Sequence, residues 1–403
     1  MKFFSFSKKS PSLSIVFDIR EFSLTAAVVE MFRGKKSEII SCQTFEVIES
    51  EIASYKKYSE SLIKTIDRAI IETHKSLISL GIKNKISNHF FFVGSPWVVS
   101  KGKSIKLTKD KAFSVDGDFL KRVLVGKEEN LKKEIEKESE RGGWEVFEEK
   151  IVEAKLNGYK VDSFYNRKAK EFEVHLFTSF IAKEINDKIK TYSNKKLKGD
   201  KSCSHSQTLS TFTFTRDLFQ NKNNFIYVDI GKLITDIYVV IDDTIHGIAS
   251  FPFGENAIIE NIAKDLKMTK DLVLSTLNIK CHGKCDEDTD IKVNNFIKTG
   301  LSKWSENFNG ALKRICEEKD APLEIMMIAN TDLSNLFVEK IKNQNSETPF
   351  KIYGKNPHLT IIGEGVLNNF INGGKVFKNQ PYIKMDIILL DKLIKQNNIC
   401  LKN

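Results

Sequence analysis

Apolar and polar positions alternate along the chain in blocks that predict strands and helices in turn. Residues 13–19 (LSIVFDI) and 22–29 (FSLTAAVV) are short, nearly continuous apolar runs around Arg20-Glu21, as buried strands joined by a tight turn would give. FEVIE (45–49) continues as a further strand. In 58–80, Leu62, Ile66, Ala69, Ile70, Thr73 and Leu77 recur at helical spacing, and Gly81 supplies a stop. HFFFVGSPW (89–97) predicts a buried strand running into a turn. A charged helix over 118–140, a strand with an Asn157-Gly158 turn over 147–161, a strand over 171–180 and a helix over 182–193 form a separate small α/β module. The polar stretch 193–207 (SNKKLKGDKSCSHSQ) predicts a loop or linker.

The second half repeats the opening theme. FIYVDIGKLITDIYVV (225–240) is again two apolar strands about a short turn, and IHGIASFPFG (245–254) extends it. Ile258, Ile262 and Leu266 line one face of a helix over 255–267, a second helical run covers 291–318, LEIMMIAN (323–330) is a buried strand, and 333–342 is a helix that Thr331-Asp332 can cap. The two hairpins share one feature: each ends its first strand in Asp-Ile, at Asp18 and at Asp229.

Composition adds limits. A chain of 403 residues with 41% hydrophobic content exceeds one small core, so at least two packed units are expected. The formal charge is +10, but the longest charged run, KEENLKKEIEKESER (127–141), mixes both signs and reads as a solvated helix face. Nothing here calls for nucleic acid. No window reaches the ~18 apolar residues of a membrane span. The scattered cysteines 42, 203, 281, 285, 316 and 400, with no secretory signal before them, point to a cytoplasmic protein with reduced thiols.

Other motifs fall short. Cys281-His282-Gly-Lys-Cys285 supplies at most three zinc ligands with no second pair, which favours a polar loop. Asp286 to Asp290 resembles the start of a calcium loop, yet Ile291 and Ile297 stand where glycine and glutamate belong. His175 sits alone on an apolar strand and reads as packed or exposed.

The paired hairpins and the order of elements around them resemble the actin-like ATPase superfamily, in the bacterial branch of FtsA and PilM. IVFDIREFSLTAAVVE (15–30) stands at the first phosphate motif, VDIGKLITDIYVV (228–240) at the second, and EIMMIANTDLSNLF (324–337) at the adenosine motif. SFPFGENAIIENIAKDL (250–266) matches the strand, glycine and helix that follow the second motif. The resemblance covers 12–372. It implies an α/β fold with a duplicated, ribonuclease-H-like two-domain core and an inserted small α/β subdomain. The boundaries it suggests are a leader 1–12, a first half 13–95, an insertion 96–190 and a linker 191–222 returning to the first half. A second half 223–345, a return 346–373 and a tail 374–403 follow. An ATP site in such a fold would draw on Asp18, Arg20, Asp229, Gly231, Lys232, Thr235, Asp236, Gly254, Ala329 and Asn330, with Asp18 and Asp229 orienting Mg²⁺.

Departures from the family pattern weaken that site. Backbone N–H groups reach a phosphate only where side chains leave room, so glycine is used in such turns. The family's Asp-Ile-Gly is Asp18-Ile19-Arg20 here, Lys232, Leu233 and Ile234 replace a small-residue turn, and Ala329-Asn330 replaces a Gly-Gly. Arg20 or Lys232 could offer a charge to a phosphate instead. The losses favour a degenerate, non-hydrolysing site over an active, nucleotide-switched and polymer-forming ATPase. The resemblance then implies a scaffold of a membrane-associated machine, FtsA-like in cell division or PilM-like in type IV pilus assembly. Protein partners would dock through a short peptide on 96–190, with self-association as a further family property. The segment 385–398 (MDIILLDKLIKQNN) has two readings: an amphipathic helix on the inner face of the membrane, with Ile387, Leu390 and Ile394 toward lipid, or a last helix docked on the core.

Overall fold

A computed structural model describes residues 11–47, 54–82, 86–138, 143–161, 163–196, 201–219, 222–281, 287–316, 320–328, 333–343, 357–373, 376–378 and 380–395. It comprises two compact units, Met1–Gln220 with Glu364–Asn403, and Asn221–Gly363.

The first unit opens with β1 (Ser12–Ile19), β2 (Ser23–Met31), β3 (Glu38–Glu46), α1 (Tyr55–Ser79) and β4 (Asn88–Val93). Every residue of β1 after Ser12 is buried, because the strand is flanked by antiparallel β2 and parallel β4. The inserted module follows: β5 (Val98–Val115), α2 (Gly117–Glu138), β6 (Trp144–Leu156), β7 (Tyr159–Lys160), β8 (Arg167–Ala182) and α3 (Lys183–Lys196). Its sheet runs β5-β8-β6-β7. The Asn157-Gly158 turn forms as read, both residues with positive φ (51° and 83°), and Asn157 Oδ1 accepts from the Lys170 and Glu171 amides. β5 was not evident in the sequence. It is an edge strand rich in lysine, so its half-buried alternation is diluted.

The chain returns through β9 (Lys201–Ser206) and α4 (Gln207–Leu218), and the sheet reads β3-β2-β1-β4-β9. The stretch 193–207, read as a loop, therefore contains a strand. Its short polar side chains are satisfied on the spot: Ser193 Oγ bonds Ser202 Oγ, while His205 and Ser206 bond Glu148. Parallel pairing to β4 overrides the low apolar content.

The second unit comprises β10 (Phe225–Ile230), β11 (Thr235–Ile241), β12 (Thr244–Phe251), α5 (Glu255–Leu266), α6 (Lys270–Cys281), α7 (Glu287–Cys316), β13 (Glu324–Ile328), α8 (Ser334–Lys342) and β14 (His358–Ile362). Trp304 lies at the heart of its core, fully buried among Phe251, Phe308 and Phe337. The sheet order is β12-β11-β10-β13-β14. Each five-stranded sheet thus runs third, second, first, fourth, fifth in its own chain order.

After α9 (Glu364–Leu367), α10 (Pro381–Lys395) closes the first unit, packed on α4, β1 and β2. Alternation along β1 sends Phe17 to the face where it stacks on Phe91, which in turn meets Tyr192, and Asp18 toward α10 on the other. Ile387, Leu390 and Ile394, the set considered for lipid, are buried in their own unit. No described helix is long and apolar enough to cross a membrane. Cys42 and Cys316 carry free thiols, whereas Cys203 is in a disulfide, so uniformly reduced thiols do not hold for it.

Candidate functional site

Both hairpins close alike. The Arg20 amide donates to the Ser23 carbonyl at 2.9 Å, and the Gly231 amide to the Ile234 carbonyl at 2.9 Å. Strand register pairs Ile19 with Leu24 in the first and Ile230 with Thr235 in the second. Counted from these pairs, Asp18 corresponds to Asp229 and Arg20 to Gly231.

In the first unit the hairpin end is filled by its own side chain. The Arg20 guanidinium lies over the Tyr382 ring, 3.3 Å from the centroid, and Arg20 Nε is 3.9 Å from Asp18 Oδ1. Gly94 gives the guanidinium room, since a Cβ there would stand 3.1 Å from Arg20 Nη1, a tight contact. The indole Nε1 of Trp97 donates to the Arg20 carbonyl. Behind the pair lies Asp386 of α10, fully buried, with Ser210 and Gln207 of α4 facing its carboxyl. Burial first, and the Asp18 charge second, push its pKa well above the usual carboxylate range, since two neighbouring buried carboxylates resist double ionisation. Beside them Lys384, wholly buried, donates to Glu364 and Asn368 at 3.0 Å each. Burial also raises the Cys42 thiol to about 12, partly offset by the Lys384 charge. Tyr382, Asp386, Gln207 and Ser210 escaped sequence reasoning. The one trace was an acid inside the apolar run MDIILL.

In the second unit the turn is braced on α5. The Glu255 and Asn256 amides donate to the Gly231 and Lys232 carbonyls at 3.1 and 2.9 Å. These are first-turn donors of α5, the groups that would otherwise face an anion. Gly254 must be glycine, because a Cβ there would sit 2.3 Å from the Gly231 carbonyl oxygen. Thr235 Oγ1 donates to the Phe253 carbonyl and accepts from Trp304 Nε1, and Asp236 accepts from Ser250. Asp229 and Asp236 are buried, and Lys232 is exposed. Ala329 and Asn330, with Thr331-Asp332, lie outside the described residues.

His175 is hydrogen-bonded to Ser104 and Glu173 on the inserted sheet. Residues 282–286 lie outside the described residues, among which no group of three metal-ligating side chains occurs.

No family model and no curated protein matches the sequence. A solved PilM–PilN type IV pilus biogenesis complex is similar over 96% of this chain and 97% of its own, at 9% identity and a TM-score of 0.56. The fold is actin-like. A Bacteroides thetaiotaomicron protein of actin-like ATPase fold and unknown function aligns over 94% of this chain and 96% of its own, at 11% identity and a TM-score of 0.42. The ethanolamine utilization protein EutJ of Carboxydothermus hydrogenoformans aligns over 96% and 91%, at 8% identity and 0.43.

An actin-like site for Mg-ATP asks each hairpin turn to present backbone amides to phosphate. The first hairpin of this actin-like chain does not fit that demand, since Arg20 stands where the second has Gly231 and its guanidinium is already paired with Asp18 and Tyr382. The second hairpin keeps Gly231 and Asp229, but its neighbouring helix donors are taken by its own carbonyls.

Proposed function

We propose that this chain is an actin-like scaffold that binds protein partners of a membrane-associated machine and does not turn over ATP. The observation that carries the reading is the Arg20 guanidinium seated between Asp18 and Tyr382, a permanent cation where an exchangeable one would have to work. The role resembles that of FtsA in cell division, with partner peptides docking on 96–190. A second reading, a cytoplasmic component of pilus assembly, draws on the likeness to the PilM–PilN complex across both chains.

Thermal melting with and without saturating Mg-ATP tests the nucleotide half. A ligand at a hundred times its Kd stabilises by about 2.7 kcal/mol, a shift of several degrees. We expect less than about 1 °C. A clear shift that Asp229→Ala abolishes would overturn the reading in favour of a nucleotide-switched ATPase, which hydrolysis and pelleting assays would then characterise. Co-purification from native cells separates division from pilus partners.

A further inference from the structure

We propose that the cavity between α4 and α10 of the first unit binds a medium-chain carboxylate, an anion with a straight apolar body. The cavity has a volume of about 290 Å³. That is about twice the roughly 150 Å³ apolar cavity that accepts benzene, and close to the lower end of small-molecule pockets. Phe214 and Leu218 of α4, Phe370, and Ile388 and Leu389 of α10 line it. Phe370 remains 37% exposed, so the apolar wall is open to a ligand.

The rim has mixed charge with a positive excess. Lys36, Lys392 and Lys395 stand on it with Asp217 and Asp391. Each acid has partners of its own, and Asp217 holds Lys392 of the same rim, which leaves Lys36 and Lys395 to face a ligand. Asp391 accepts from the Ser37 amide and hydroxyl, and Asp217 is shared between Lys392 at 2.5 Å and Arg216 at 3.5 Å. Lys36 donates to the Asn369 carbonyl, a neutral partner that leaves its charge in place. Lys395 is exposed at the helix end. An anionic head beside Lys36 and Lys395 and a hydrocarbon body against the apolar wall suit this arrangement.

Two other occupants match less well. A peptide would bring backbone N–H and C=O groups into a wall where, among the described residues, Thr213 is the only uncharged polar side chain, leaving them unsatisfied. A bilayer needs an outward apolar face, and the apolar set Ile387, Leu390 and Ile394 is buried.

Calorimetric titration of the full chain with hexanoate, octanoate and decanoate tests the proposal. Saturable 1:1 binding should tighten about fourfold per added methylene, the affinity equivalent of ~0.8 kcal/mol. Lys36→Glu with Lys395→Glu should weaken decanoate at least about tenfold. Ile388→Trp, which fills the cavity, should abolish binding at unchanged melting temperature. Failure of decanoate to saturate, or equal binding by all variants, overturns the proposal. So does binding only to phosphatidylglycerol vesicles, or only to an acidic leucine-rich peptide, without competition from decanoate.

Discussion

Replacing Arg20 by glycine would restore to the first hairpin the residue that the second one uses. The substitution removes two interactions. One is the contact between Arg20 Nε and Asp18 Oδ1 at 3.9 Å, with side chains 15% and 4% exposed. At an effective dielectric near 20, charges this close attract by about 4 kcal/mol before desolvation is counted. The other is the guanidinium over Tyr382, worth roughly 0.5–2 kcal/mol. Losing the cation also removes a positive charge that faces both Asp18 and Asp386, and breaking a buried pair from one side costs about 3–5 kcal/mol. At roughly 2–4 °C per kcal/mol for a unit of this size, Arg20→Gly should lower Tm by roughly 6–20 °C at pH 7. Arg20→Lys keeps charge but loses the planar stack, and should fall between. The double variant Asp18→Asn with Arg20→Gly should recover much of the loss, because the buried charge that Arg20 faced is gone as well. Scanning fluorimetry or calorimetry reads all three. A change under about 1 °C for Arg20→Gly, or a further loss in the double variant, would refute the account.

Three further expectations concern neighbouring features. The raised pKa of Asp386 means its stabilising protonated state is complete below the unfolded value near 3.9 and is lost as pH rises through the folded value. Asp386→Asn should therefore match wild type in Tm near pH 4 and exceed it increasingly toward pH 8; a constant offset would remove the linkage. Glu148→Ala strips a buried hydrogen-bond partner from His205 and Ser206 and should cost about 1–3 kcal/mol, with faster hydrogen exchange at the start of α4. Unchanged exchange there would show that Ser206 caps the helix without help. Gly254→Ala forces a Cβ to 2.3 Å from backbone and should destabilise by about 1–3 kcal/mol, read as a drop in urea midpoint.

Hairpins, long helices and the duplicated order were legible because each carries a local pattern. β1 and β10 are continuous apolar runs, as strands sheltered on both faces must be. α1 shows its buried stripe from Leu62 to Leu77. β5 and β9 were hidden, since an edge strand and a serine-rich strand owe their form to pairing partners distant in sequence. The same holds for the site. Asp18 and Arg20 announced themselves within one turn, but Tyr382 and Asp386 reach them from more than 350 residues away, through helix packing that leaves no spacing to read. Gly254 was visible as a residue, while its reason, a backbone carbonyl 2.3 Å from any Cβ, exists only in three dimensions.

The bracing of α5 on the turn of β10 and β11 has a mechanical side. Two amide donors at the head of a twelve-residue helix are fastened to the carbonyls of Gly231 and Lys232, with a glycine clearing the gap. The turn and the helix cannot slide independently without breaking both bonds. Whatever presses on Lys232, whether an anion or another protein, pushes on a lever about 18 Å long at the ordinary helical rise. Its far end is Lys267, where the helix stops in a left-handed residue. A load at the exposed tip of this hairpin would therefore bear on the head of α5 through those two hydrogen bonds, with no bond to phosphate needed.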